Sequence, residues 1–235
     1  MRLDVRLSVL ATRTARPSTK TKEPSKKPVV TTVLLVRHGQ TATTGKVLPG
    51  RTPGLHLADA GVEQAAQAAA RVAELDRVDA VYTSPLERAR ETARPIAKAR
   101  GLRPHVERGL LECDFGEWTG GELAALMKRP EWGTVQRAPS TFRFPGGESF
   151  PEMQHRMVTT LERLRDAHRG RTIVCVSHAD PIKAALAHAL GTHLDLFQRI
   201  VISTGAISVV TWFDGGPVVL AVNSTGNSLK ELKLS

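Results

Sequence analysis

The sequence predicts an α/β protein, a three-layer α/β/α sandwich with a mainly parallel central sheet. Two observations carry that prediction. Continuous apolar or β-branched runs at residues 31–36, 79–84 and 171–177 leave no polar alternate face, which suits strands covered on both sides. Helix-forming stretches follow these runs, so strand alternates with helix along the chain.

"TTVLLV" (31–36) opens the pattern as a buried strand, and "DAGVEQAAQAAARVAEL" (59–75) is the first helix. Alanine is the best helix former, and the acids of its first turn face the positive end of the helix dipole. "DAVYTS" (79–84) is the second strand. Pro85 then takes a first helical position, and "LERARETARPIAKARG" continues as a helix with a kink at Pro95 and an end at Gly101. "RTIVCVS" (171–177) is a further strand, with "PIKAALAHALG" (181–191) as its helix. "AISVVTWF" and "PVVLAVN" close the pattern as a hairpin turning at residues 214–216.

At 235 residues and 25.5 kDa, the chain has room for one domain with a real core and an extension besides. A net charge of +10 would suggest nucleic acid if it were spread over a surface. Residues 1–30, however, hold eight Lys/Arg against two acids and so carry +6 of it. The remainder is ordinary for a surface that binds an anion. That segment, rich in Ser, Thr, Pro and Lys, has too few large apolar groups to offset its ordering entropy. A disordered basic tail at 1–30 is therefore expected ahead of a catalytic domain at 31–235. Docking of the tail to RNA or an anionic membrane, or a targeting role, is the weaker reading, because no aromatic or amphipathic pattern accompanies the charge. No specific nucleic acid and no membrane are expected as partners. Cys113 and Cys175 lie far apart, without clustered Cys/His spacing, so neither a disulfide framework nor a zinc site is indicated and a reducing cytoplasm is the expected location. No apolar run approaches the roughly 20 residues of a membrane-spanning helix, and "LSVLA" is too short for a signal-peptide core.

In open α/β sheets, ligands sit beyond the carboxyl ends of the strands. The first strand runs into Arg37 and His38, the second ends at Ser84 with Arg88 one helical turn later, and "RTIVCVS" ends at Ser177 and His178. Two arginines and two histidines converging on one spot suit a phosphate, whose oxygens a guanidinium binds bidentately while staying charged. A neutral imidazole adds a nucleophile. If a backbone carbonyl holds one ring N–H, the tautomer is fixed and the other nitrogen can attack phosphorus. The departing alkoxide then needs a proton, which a carboxyl group with a raised pKa can supply. Glu112 is the candidate, flanked by Leu110, Leu111, Phe115 and Trp118. Each feature alone has a bland reading: turn chemistry for the R-H-G, a satisfied core histidine for His178, a solvated helix charge for Arg88, a surface acid for Glu112. The conjunction carries the weight.

With these residues assembled, the chain resembles the histidine phosphatase superfamily, the phosphoglycerate-mutase-like enzymes, over about residues 33–225. "RHGQT" resembles the R-H-G-[EQ]-[TS] signature, "SPLERARET" the S-x-L-x-R-A-x-x-T motif, "LLECDFGEWTG" the L-x-E-x-x-F-G-x-W-E-G motif and "VSHAD" the second-histidine motif. The resemblance implies that His38 is the phosphorylated nucleophile, Arg37 and Arg88 are phosphate clamps, Glu112 gives or takes the proton, and His178 stabilises the transferring phosphoryl group. Substrate contacts are further expected from Thr41, Thr44, Gly50, Arg51 and Ala179. It implies no metal or organic cofactor, since fixed donors can replace a metal in neutralising a phosphoryl transition state. A small phosphorylated metabolite is the expected partner, and a homodimer is left open. "LPGRTPGLHL", "FPGGES" and "HLDLFQRIV" look like a bacterial branch labelled phosphomutase.

Departures from the wider pattern are informative. Mutases have asparagine where this chain has Thr44, and glycine where it has Ala179. They also carry a long insertion with paired arginines between the acid and the second histidine. Here only 66 positions separate Glu112 from His178, and Arg137 and Arg143 are not adjacent. This spacing favours a phosphatase over a phosphomutase using the same residues. A third reading is a non-catalytic module that binds a phosphorylated ligand. The substrate itself is not legible.

Overall fold

β1 (Thr31–Arg37) runs through the middle of the molecule, and its side chains show why it is apolar throughout. Val33 and Leu35 enter one buried cluster, Leu34 and Val36 another. A strand sends alternate side chains to opposite faces, so an unbroken apolar run requires cover on both. The structure, a computed structural model, describes residues 29–226 and 228–232. The expected tail lies outside the described residues up to position 28.

β1 pairs in parallel with β4 (Thr172–Ser177), and β4 with β2 (Ala80–Thr83), which pairs in turn with β3 (Pro104–Val106). On the other side of β1, β5 (Ile207–Phe213) and β6 (Gly216–Ser224) add an antiparallel hairpin, giving the order β3-β2-β4-β1-β5-β6. Helices α1 (Asp59–Ala73) and α2 (Glu87–Ala99) cover one face through Ala68, Val72, Ala93 and Ile96. The short α3 (Leu123–Leu126) and α4 (Trp132–Arg137) follow β3. The other face is covered by α5 (Phe150–Ala167) and α6 (Ala179–Ala189) through Met157, Leu161, Ile182 and Leu186. The expected three-layer α/β/α sandwich is thus the fold.

Details differ from expectation at element ends and in one stretch. Helix α2 starts at Glu87, with Leu86 as its extended N-cap, so Pro85 lies ahead of the helix. The helix is continuous through Pro95, and it ends as expected at Gly101, whose φ of +66° accommodates a double turn: Leu102 N–H donates to Ala97 O and Gly101 N–H to Lys98 O. Helix α6 begins at Ala179, two residues early, because His178 keeps extended geometry as its N-cap. Helix α5 was not anticipated, although its signals are in the sequence. Ser149 and Glu152 form a capping box, and Phe150, Met153, Met157, Leu161 and Leu164 repeat at three- and four-residue intervals on the buried side. Their partners include an aromatic cluster of Phe115, Trp118, Phe142 and Phe144.

Candidate active site

Parallel register brings the three strand ends together. Arg37 pairs with Ser177, His38 N–H donates to Ser177 O (3.0 Å), and Ser84 N–H donates to Val176 O (2.9 Å). The chain leaves β1 across α1 with two glycines in contact: a Cβ on Gly39 would lie 2.3 Å from Gly61 O. Thr92 of α2 secures the same loop, its hydroxyl accepting from Gly39 N–H (3.0 Å) and donating to Arg88 O (2.8 Å).

His38 is buried, and its Nδ1 lies 2.7 Å from Gly39 O. A carbonyl only accepts, so Nδ1 carries the proton and Nε2 carries the lone pair. Arg88 Nε donates to that Nε2 at 3.3 Å. Burial first, then the Arg88 and Arg37 charges, hold His38 well below the usual histidine range, so the ring is neutral at working pH. His178 lies with its ring centroid 5.1 Å from that of His38, and its Nε2 is 2.8 Å from Ser84 Oγ. Burial and the neighbouring Arg88, His38 and Arg37 lower its pKa in the same way.

The arginines are buried with donors to spare. Arg88 has no exposed surface and gives one amino group to Gly50 O at 2.8 Å. Arg37 gives one to Ile202 O at 2.6 Å. Arg37 Nε, Arg88 Nη1 and His178 Nδ1 are buried without a protein partner. Buried donors left unpaired are costly. Two cationic forks and a histidine nitrogen so arranged match the oxygens of a phosphate.

Glu112 faces this cationic group as a buried acid, its Oε1 accepting from Cys113 N–H at 2.9 Å. Burial, reinforced by the charge of Asp180, outweighs Cys113 N–H, Arg88 and Arg37 and pushes its pKa up to about 7. A carboxyl at that value can give a proton and take one back near neutrality.

The structure thus gathers Arg37, His38, Arg88, Glu112 and His178 into one mutually interacting group. Of the expected substrate contacts, Gly50 fixes Arg88 through its carbonyl, and Ala179 is the first residue of α6, directly after His178. Thr41 and Thr44 bond one another, hydroxyl to hydroxyl at 3.0 Å, with Thr41 N–H also donating to Thr44 Oγ1. Arg51 donates to Glu112 O (2.9 Å) and reaches Asp114 and Glu148. Sequence reasoning did not count Ser84, Thr92 or Asp180 as site residues. The first two stand inside the quoted "SPLERARET", and Asp180 inside "VSHAD". Among the described residues no cluster of three or more His, Cys, Asp or Glu is arranged to hold a metal ion, and no helix is long and apolar enough to cross a membrane.

Known proteins resemble this chain in sequence and structure. A bifunctional protein of Mycobacterium tuberculosis is 35% identical over 200 residues, covering 83% of this chain; the chain spans only 54% of that relative's length. Phosphoserine phosphatase 1 of Hydrogenobacter thermophilus is 32% identical over 197 residues, covering 82% of this chain and 92% of that protein. A phosphoserine phosphatase variant from Entamoeba histolytica, solved with phosphoserine, superimposes with a TM-score of 0.75 at 28% identity, covering 83% of this chain and 98% of that one. The sequence model of the histidine phosphatase superfamily (branch 1) matches residues 33–225, and the chain belongs to that superfamily.

Proposed function

We propose that this protein is a metal-independent phosphatase that hydrolyses a small phosphomonoester through a phosphohistidine at His38. The observation that carries the reading is the fixed tautomer: Gly39 O holds the Nδ1 proton, which leaves the Nε2 lone pair beside Arg88. In the first half-reaction Nε2 attacks phosphorus, the bond from phosphorus to the ester oxygen breaks, and Glu112 gives its proton to the departing alkoxide. Arg37, Arg88 and His178 bind the phosphoryl oxygens as charge builds on them. The bond from Nδ1–H to Gly39 O steadies the cationic ring. In the second half-reaction Glu112, now a carboxylate, takes a proton from water. The hydroxide attacks phosphorus, the N–P bond breaks, and its electron pair returns to Nε2.

Relatives named phosphoserine phosphatase support hydrolysis, and the short span between Glu112 and His178 favours it over mutase chemistry. Phosphate release should be measured with chelator present from a panel including O-phosphoserine and 3-phosphoglycerate, for wild type and His38→Ala. Metal-independent release should fall by about a thousandfold or more in the variant. Retained activity in His38→Ala would overturn the mechanism. Conversion of the substrate to an isomer in place of phosphate release would turn the assignment to a mutase.

A further inference from the structure

Glu112 lies in a stretch without regular structure, so its placement needs an explanation. The 3₁₀ turn Arg108–Leu110 ends just before it, and the chain then has no regular structure as far as residue 115. Irregular backbone leaves carbonyls without partners unless side chains supply donors. Here four consecutive carbonyls are held. Arg156 of α5 donates from Nη1 to Gly109 O (2.8 Å) and Leu111 O (3.0 Å), and from Nη2 to Glu112 O (3.3 Å). Ser177 Oγ donates to Leu110 O at 2.8 Å, one residue before His178. Arg51 Nε adds a second donor to Glu112 O at 2.9 Å.

Glu148 aims both arginines. It binds Arg156 in a fork, with Nε to Oε1 and Nη2 to Oε2 both at 2.9 Å, and its Oε2 also lies 2.9 Å from Arg51 Nη2. The same Oε2 accepts from Asp114 N–H at 3.0 Å. Glu148 is itself fixed by the glycine turn before it. Glu148 N–H donates to Asp114 O and Glu117 N–H to Pro145 O, each at 2.9 Å. The turn lies so close to residues 114–116 that a Cβ on Gly116 would be 2.1 Å from Pro145 O, and one on Gly147 2.3 Å from Asp114 O. The "FPGGES" stretch thus delivers one carboxylate under two guanidinium groups that grip the main chain of Glu112.

We propose that Arg156 and Glu148 are positioning residues for Glu112, acting through its main chain to aim the carboxyl at the leaving-group oxygen. The proposal rests on the reading of Glu112 as proton donor. It makes a demand that a mere structural brace does not. An alkyl ester needs a proton on its departing oxygen, whereas p-nitrophenolate leaves without one. Misplacing the acid should therefore slow alkyl esters selectively.

The test compares kcat/KM, which covers steps up to departure of the leaving group, for β-glycerophosphate and p-nitrophenyl phosphate. The full chain is used as wild type, Glu112→Gln, Arg156→Gln and Glu148→Gln. Arg156→Gln and Glu148→Gln should lower kcat/KM for the alkyl ester by about a hundredfold, the scale of a misplaced catalytic group, with little change for the aryl ester. Arg156→Lys, a point charge without the fork, should behave like Arg156→Gln. Should Arg156→Gln fail to fold, Arg156→Lys and Glu148→Gln carry the test. Equal losses on both esters, or no loss on either, would overturn the proposal. If Glu112→Gln is selective and the Arg156 and Glu148 variants are not, positioning alone fails. If Glu112→Gln itself slows both esters alike, the proton-donor reading falls and the proposal with it.

Discussion

Replacing Glu112 with glutamine should stabilise the protein at alkaline pH while removing the proton Glu112 is proposed to carry. The magnitude follows from burial. In the unfolded chain the carboxyl titrates near its ordinary value of 4.5, and in the folded protein at about 7. Below pH 4.5 both states hold the proton and the group contributes no difference. As pH rises to 7 the unfolded chain releases its proton first, so stability falls across that window and then levels off. At about 1.4 kcal/mol per tenfold, the gap is worth about 3 kcal/mol at pH 8. Glutamine keeps an oxygen to accept from Cys113 N–H and has no charge to bury. For a protein of this size the gain is a rise in Tm of roughly 6–12 °C at pH 8, with little change at pH 5. Thermal unfolding of both proteins in phosphate-free buffer at the two pH values measures it, and turnover of an alkyl ester by the same variant should fall by about a hundredfold or more. A Tm difference that is the same at pH 5 and pH 8, or a variant less stable at pH 8, would show that the arginines fully offset burial of the carboxylate.

Two further outcomes are expected. Asp180 adds to the upward push on Glu112, so Asp180→Asn should move the alkaline limb of the kcat/KM profile to lower pH; an unmoved limb would show that its charge does not reach the acid. Gly39→Ala would set a methyl 2.3 Å from Gly61 O, which forces α1 away from the loop that carries His38. It should cost about 1–3 kcal/mol in urea unfolding along with activity, and a variant of wild-type stability would refute the close approach.

The central strands were legible because burial on both faces leaves no polar alternation to misread, and Arg37, His38 and His178 because charge interrupts apolar runs where strands end; Glu112 was marked instead by its apolar and aromatic neighbours. What escaped the reading has physical causes. β3 is three residues long with its side chains at the sheet edge, so it lacks the apolar run that betrays β1 or β4. Helix α5 carries its apolar stripe between six charged residues, and only the capping box and the spacing of its methionines disclose it. The arginines were harder still. Arg51 was expected at the substrate, but its bond to the main chain of Glu112 was not foreseen, and neither was that of Arg156. Their acceptors are carbonyls of an irregular stretch, which every residue possesses and no side-chain pattern marks.

The strand order has a consequence for how the molecule is made. β4 lies between β2 and β1, so a chain emerging from the ribosome exposes His38 well over a hundred residues before its sheet neighbour exists. Until β4 slots in, both flanking strands present open edges, the condition under which nascent chains need chaperones. His38, Glu112 and His178 are therefore brought together in one late, non-local event. A half-synthesised chain carries His38 with no His178 beside it, so premature termination leaves the buried cluster unformed.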